Sequence, residues 1–266
     1  MSFYDAHCHL QDERLGPYLE EVQESYQRLS VRRAVVNGTS ESDWQAVADL
    51  VASVDRARAS YGLHPWFVTQ ASSEWKERLR GRLDDDPSAC VGEIGLDRWI
   101  KDYDIDAQRD AFHWQLGLAA ERERPVTIHC LQAWGMMLES VEECDLPSCG
   151  FLLHSYGGSA EMVESFAALG AYFSVSGYFA LERKAKQREV WKQVPVDRLL
   201  IETDAPDMAG PDEYRKVSLR GEDGEEINHP ANIEGVYEFV SKLRAMPMDE
   251  LKEVVRENFV RLFGEA

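Results

Sequence analysis

The 266-residue chain contains no apolar run near the roughly 20 residues that a membrane-spanning helix needs. Its first residues lack a basic stretch followed by a long apolar one, so no secretory leader is expected. Cysteine is sparse: five residues, an odd number, scattered and without a CxxC pair. That excludes a disulfide framework and points to free thiols in a reducing, cytoplasmic compartment. Positive charge is also short, with 29 basic against 48 acidic residues and a net charge of -19. Broad, sequence-blind nucleic-acid binding, which displaces counterions with cationic surface, is therefore not expected of the whole surface. A nuclease is still allowed, because bound divalent ions create a small positive site on an acidic protein. No GxSxG elbow, Walker A loop or dinucleotide glycine fingerprint occurs.

The chain does contain a regular alternation. Short apolar segments bounded by Gly, Pro or polar residues read as strands. They are FYDAHCHL, RAVVNGT, ASYGLHP, ACVGEIGLD, PVTIHC, GFLLHS, AYFSVSG and RLLIETD. Amphipathic stretches such as PYLEEVQESYQRL, DAQRDAFHWQLGLAAERE and AEMVESFAALG lie between them, and ANIEGVYEFVSKLR and MDELKEVVRENFVRLF close the chain. With 44% apolar residues, this predicts an α/β fold, a single (β/α)8 TIM barrel over residues 1–266. A doubly wound sheet is the alternative. The polar stretch 213–228 follows the eighth strand and is expected as a loop over the active-site end.

The chemistry gathers at strand ends. YDAHCHL puts His7 and His9 on one strand face, with Asp5, while Ala6, Cys8 and Leu10 face packing. The other expected ends carry His64, Glu93, His129, His154 and Asp204. In a barrel these converge on one mouth. Imidazoles and carboxylates are ligands for Zn, Mn or Ni, and four histidines with two carboxylates suit a pair of ions sharing a bridging carboxylate. Glu93, among apolar neighbours, needs a cation or a hydrogen-bond network. His113 reads as packing or surface, His229 has no expected metal role, and the aspartates 84–86 read as a solvated loop. Cys8 and Cys130 read as core packing. Trp66, Trp99, Trp134, Tyr156 and Tyr178 follow strand candidates and could rim the mouth for base stacking.

Together DAHCHL, YGLHPW, VGEIGLD, VTIHC, LLHSYGGS, LLIETDAP and ENFVRLFG resemble the TatD family of metal-dependent hydrolases, in the family's order over nearly the whole chain. Gln108 and Phe112 also match its pattern. The resemblance implies an amidohydrolase-like TIM barrel with two divalent ions (Zn, Mn, Mg or Ni) acting on nucleic-acid ends, DNA and in some members RNA, as a 3'-5' exonuclease or deoxyribonuclease. It implies that His7, His9, Glu93 and Asp204 hold one ion and that Glu93 bridges to a second, held by His129 and His154. His64 would lie near the scissile phosphate, and Asp204 would orient or deprotonate the attacking water. No membrane or obligate protein partner is implied. Two positions depart from the family. Leu131 stands where the fifth strand usually reads His-x-Arg, removing a bidentate phosphate donor. Asn228-His229-Pro230 stands where Asn-Glu-Pro is frequent. Leu131 and the acidic balance motivate a second reading, a hydrolase of a small amide, lactone or phosphoester. A third is a non-catalytic metal-binding scaffold.

Overall fold

The computed structural model describes residues 2–221 and 224–265. Eight parallel strands follow one another around a barrel: β1 (Phe3–Cys8), β2 (Val31–Asn37), β3 (Ala57–Tyr61), β4 (Cys90–Asp97), β5 (Val126–Leu131), β6 (Phe151–Leu153), β7 (Ala171–Val175) and β8 (Leu199–Ile201). Each pairs with the next in sequence, so the order never reverses as a doubly wound sheet requires. The seam closes just past β8. The Asp204 amide donates to the His7 carbonyl at 3.0 Å, and the His9 amide to the Ala205 carbonyl at 2.7 Å.

Helices α1 (Leu19–Leu29), α2 (Trp44–Ser53), α3 (Trp75–Asp85), α4 (Ile105–Glu121), α5 (Trp134–Glu142), α6 (Glu161–Ala168) and α7 (Ala185–Trp191) return the chain between strands. Local sequence explains their ends. Asp104 caps α4 by accepting the Ala107 amide at 3.0 Å, and Glu20 and Glu21 place negative charge in the first turn of α1. The aspartates 84–86 form the last turn and cap of α3 rather than a loop, with Asp84 ion-paired to Arg122. The 213–228 stretch is not a structureless loop. It contains a hairpin, β9 (Ser218–Arg220) against β10 (Glu226–Asn228), although residues 222–223 lie outside the described ones. The hairpin packs beside the segment after β8, where the Asn228 amide donates to the Pro206 carbonyl at 2.8 Å.

The core lies between barrel wall and helices. In α8 (Ile233–Arg244), Ile233, Val236, Tyr237 and Val240 recur on one buried face. In α9 (Met248–Phe263), Leu251, Val255, Phe259 and Leu262 do the same. Tyr237 locks α8 to β1, since its hydroxyl accepts the Tyr4 amide and donates to the Tyr4 carbonyl, both at 3.1 Å. As expected, Ala6, Cys8 and Leu10 are buried on the packing side, and Cys130 is buried too. Among the described residues no helix is long and apolar enough to cross a membrane.

Candidate metal centre

The β1 alternation places His7 and His9 together, with Nε2 atoms 3.1 Å apart. Glu93 Oε2 lies 3.5 Å from His7 Nε2 and 3.4 Å from His9 Nε2. Asp204 Oδ1 lies 3.4 Å and 3.5 Å from the same two nitrogens. Tetrahedral ligands about 2.0–2.2 Å from a small divalent ion are separated by about 3.3–3.6 Å, so these four atoms have the spacing of a ligand shell.

The other oxygen of Glu93 faces a different set. Oε1 is 2.9 Å from His129 Nδ1 and 2.9 Å from His154 Nε2, and those two nitrogens are 3.3 Å apart. His64 Nε2 approaches the same oxygen at 3.5 Å. All the histidines and carboxylates expected at the mouth therefore meet, and one carboxylate joins the two groups. One detail of the expectation fails. Glu93 is not at the end of β4; it is the fourth of eight residues, and Asp97 ends the strand. A strand this long is buried on both faces, so nothing in its apolar pattern marks which residue reaches the mouth.

Outer partners orient the rings. His9 Nδ1 lies 2.8 Å from the Asn37 carbonyl, which fixes its proton there and leaves Nε2 as a lone pair. His129 Nε2 meets Asp97 Oδ2 at 2.9 Å, which turns Nδ1 toward Glu93. Gln108 holds the Asp97 backbone on both sides, accepting its amide at 2.8 Å and donating to its carbonyl at 2.9 Å. Glu202 Oε1 stands 3.6 Å from His154 Nδ1, and its other oxygen accepts the Ser174 hydroxyl. Asp97 closes both the strand candidate ACVGEIGLD and β4 itself, so strand-end placement carries the signal for it, whereas Glu202 has no such mark beyond lying, like Asp97, inside one of the two most specific motifs, GEIGLD and IETDAP. Asp5 shares the face of His7 but points to Thr203, accepting its hydroxyl at 2.6 Å and its amide at 2.9 Å.

Lone pairs and carboxylates crowded in this way repel unless a cation or protons lie between them. Burial opposes charge on Glu93, yet the surrounding imidazoles, His154 foremost, outweigh it and hold the carboxyl well below its usual range. Burial likewise opposes charge on His9 and His154, but the facing carboxylates raise both well above the usual imidazole range. The donor set thus demands positive charge and fits divalent metal, which displaces such protons on binding. His64 is different. Burial pushes it down to about 4, and its Nδ1 accepts the Trp66 amide at 3.2 Å, so the neutral ring carries its proton on Nε2. Burial raises Asp5 to about 7.

The remaining candidates lie apart. His229 is buried, its Nδ1 accepting the Ala231 amide at 2.9 Å, and His113 sits half-buried within α4. Of the aromatic rim, Trp66 and Trp99 are exposed, but Tyr156 is buried. Trp134 packs edge-on against Tyr156 at 4.6 Å, and Tyr178 lies under Lys184 at 4.6 Å.

The chain as a whole has known relatives. Residues 4–264 match the family model for TatD related DNase. YjjV, described as an uncharacterised metal-dependent hydrolase, from Escherichia coli strain K12, is 30% identical over 98% of each chain. The 3'-5' ssDNA/RNA exonuclease TatD of Erwinia tasmaniensis is 28% identical over 98% of this chain and 99% of its own. The crystal structure of E. coli YjjV, a TatD homologue, superposes with a TM-score of 0.90 at 28% identity, covering 99% of this chain and 98% of that one. A match of this extent, on a barrel whose mouth gathers buried histidines and carboxylates able to bind metal, places the chain in the TatD family of metal-dependent hydrolases.

Proposed function

We propose that the protein is a two-ion nuclease that shortens single-stranded DNA or RNA from its 3' end. The observation that carries this reading is the split orientation of Glu93, with Oε2 toward His7 and His9 and Oε1 toward His129 and His154. The exonuclease named among its relatives supplies substrate and polarity. His7, His9, Glu93 and Asp204 would hold one ion, and Glu93, His129 and His154 the other. The imidazole-rich set suits Zn, Mn or Ni, with Mg a weaker match to so many nitrogens. Divalent ions held by these residues would lower the pKa of bound water from about 15.7 toward 7 and would offset charge growing on phosphate oxygens. Asp204, kept anionic by His7 and His9 against the effect of burial, orients the attacking water and accepts its proton. His64 donates its Nε2 proton to a non-bridging phosphate oxygen.

Activity on a 3'-labelled oligonucleotide should disappear in excess chelator and return with Mn²⁺ or Zn²⁺. Undiminished degradation by metal-stripped protein would refute the reading. The exposed Leu131, in place of a phosphate-gripping arginine, favours the second reading, a hydrolase of small esters. Turnover of small phosphoesters with no attack on any oligonucleotide would decide for it.

Asp97 should matter without touching substrate. Burial raises its pKa, but the His129 hydrogen bond and charge outweigh this and bring it to about 2, so the residue is an anion at neutral pH. Asp97→Asn keeps the shape and removes the charge behind His129. Losing such an outer partner costs roughly 10–100-fold in metal affinity or activity. The metal concentration for half-maximal activity should therefore rise, with kcat recovered at saturating metal. An unchanged metal requirement would dismiss the role.

A further inference from the structure

Five large apolar side chains are strongly exposed among the described residues: Trp66, Trp99, Tyr103, Leu131 and Val196. The first four sit on consecutive segments at one side of the mouth, after β3, after β4 and at the end of β5. Hydrogen bonds tie these segments together beside the metal centre. The Trp66 indole N–H donates to Asp97 Oδ2 at 2.8 Å, and the Trp99 amide donates to Asp97 Oδ1 at 2.6 Å. The Arg98 amide donates to the Leu131 carbonyl at 3.0 Å. The same Asp97 oxygen that holds Trp66 meets His129, and the Trp66 ring stands edge-on to His64 with centroids 5.1 Å apart.

The Trp66 side chain is therefore anchored at its only polar atom while 42% of the residue stays exposed. What it offers a ligand is an apolar ring face, already oriented. Trp99, 61% exposed, and Leu131, 38% exposed, extend the apolar surface. Exposed apolar side chains grouped on neighbouring segments beside a reactive centre mark an interaction site. Leu131 itself provides no charge to grip phosphate. The neighbouring cation, Arg98, is turned onto Tyr103, its Nε donating to the hydroxyl at 3.3 Å and its guanidinium 5.9 Å from the ring centroid. The group that Trp66 presents beside the centre is thus a flat, weakly polar face. Every nucleobase presents such a face, and stacking tolerates any sequence.

We propose that Trp66, flanked by Trp99 and Leu131, is the platform on which the unpaired base beside the scissile phosphate stacks, so that the enzyme selects a base-bearing 3' terminus. This rests on the nuclease reading. The platform sits next to His64 and Asp97, so a base stacked there would bring the adjoining phosphate to the mouth of the metal centre.

Two oligonucleotides test it: ten thymidylates, and the same strand with an abasic tetrahydrofuran residue at its 3' end. The wild-type protein should favour the base-bearing strand by about 5- to 140-fold in kcat/KM, the range expected for one stacked base. Trp66→Ala and Trp99→Ala should each shrink that preference, mainly through KM, and Trp66→Phe should restore part of it. Trp99→Ala breaks no side-chain hydrogen bond, and metal content measured on each variant monitors the centre. Equal wild-type cleavage of both strands would overturn this inference alone and leave the nuclease standing. Variants that lose activity equally on both strands would also overturn it, since the loss would then be structural. Cleavage of neither strand would overturn the nuclease reading and this inference with it.

Discussion

Glu93→Gln should leave a folded barrel that binds little metal and degrades no oligonucleotide. Glutamine keeps the length of the side chain but replaces one oxygen with an NH2 that cannot ligate. Whichever way the amide turns, either the His7–His9 pair or the His129–His154 pair then faces a donor instead of an acceptor. The charge that raises His9 and His154 is lost as well, so the site forfeits both geometry and attraction. General acid–base assistance alone typically contributes about 10²–10⁴-fold, and this change disturbs both proposed ion positions together, so kcat should fall by at least about 10³-fold. Metal analysis and the exonuclease assay on one sample measure this, with circular dichroism reporting the fold. Full turnover by a metal-loaded Glu93→Gln protein would remove Glu93 from the centre.

Gly95→Ala should cost stability more than any surface change. Gly95 pairs with His129 between β4 and β5 and has φ +152°, a backbone conformation that residues with a side chain rarely adopt. An added Cβ would overlap the His129 carbonyl oxygen and lie 2.8 Å from its carbonyl carbon. The obstacle is backbone, not a flexible side-chain tip, so the two strands must part. Overpacking a core costs about 1–3 kcal/mol and sometimes more, and this contact belongs at the upper end. For a chain of this size about 3 kcal/mol corresponds to a fall in Tm of about 6–12 °C. Because the displaced strand carries His129, the metal requirement should rise in the same variant. A Tm within about 1–2 °C of wild type, on the same scale of about 2–4 °C per kcal/mol, would mean that the strands separate more easily than their packing implies.

Much of this architecture is legible in the amino-acid sequence. The eight apolar segments each hold a strand, because short apolar runs between Gly, Pro and polar residues leave few other solutions. The α9 segment is legible end to end, from Met248 to Phe263, since its apolar residues recur at helical spacing after Pro247. His7 and His9 stand out as a pair through strand alternation alone. What stays hidden depends on three-dimensional neighbours. The position of Glu93 within β4 and the direction of Asp5 are set by the pairing of β4 with its neighbours and by Thr203 across the barrel seam. The β9–β10 hairpin has only three residues in each strand, and of these only Leu219 and Ile227 are apolar, so no alternating apolar pattern announces it. Trp134 and Tyr156 follow strands just as Trp66 and Trp99 do. Only packing against Phe166 and Phe173 separates the first pair from the exposed one.

The most direct test of the proposed centre is a crystal of this protein soaked in Mn²⁺ and measured at the manganese absorption edge. Two anomalous peaks should flank the Glu93 carboxylate, one among His7, His9 and Asp204 and the other beside His129 and His154. A map with no peak touching Glu93 would contradict the account at its root.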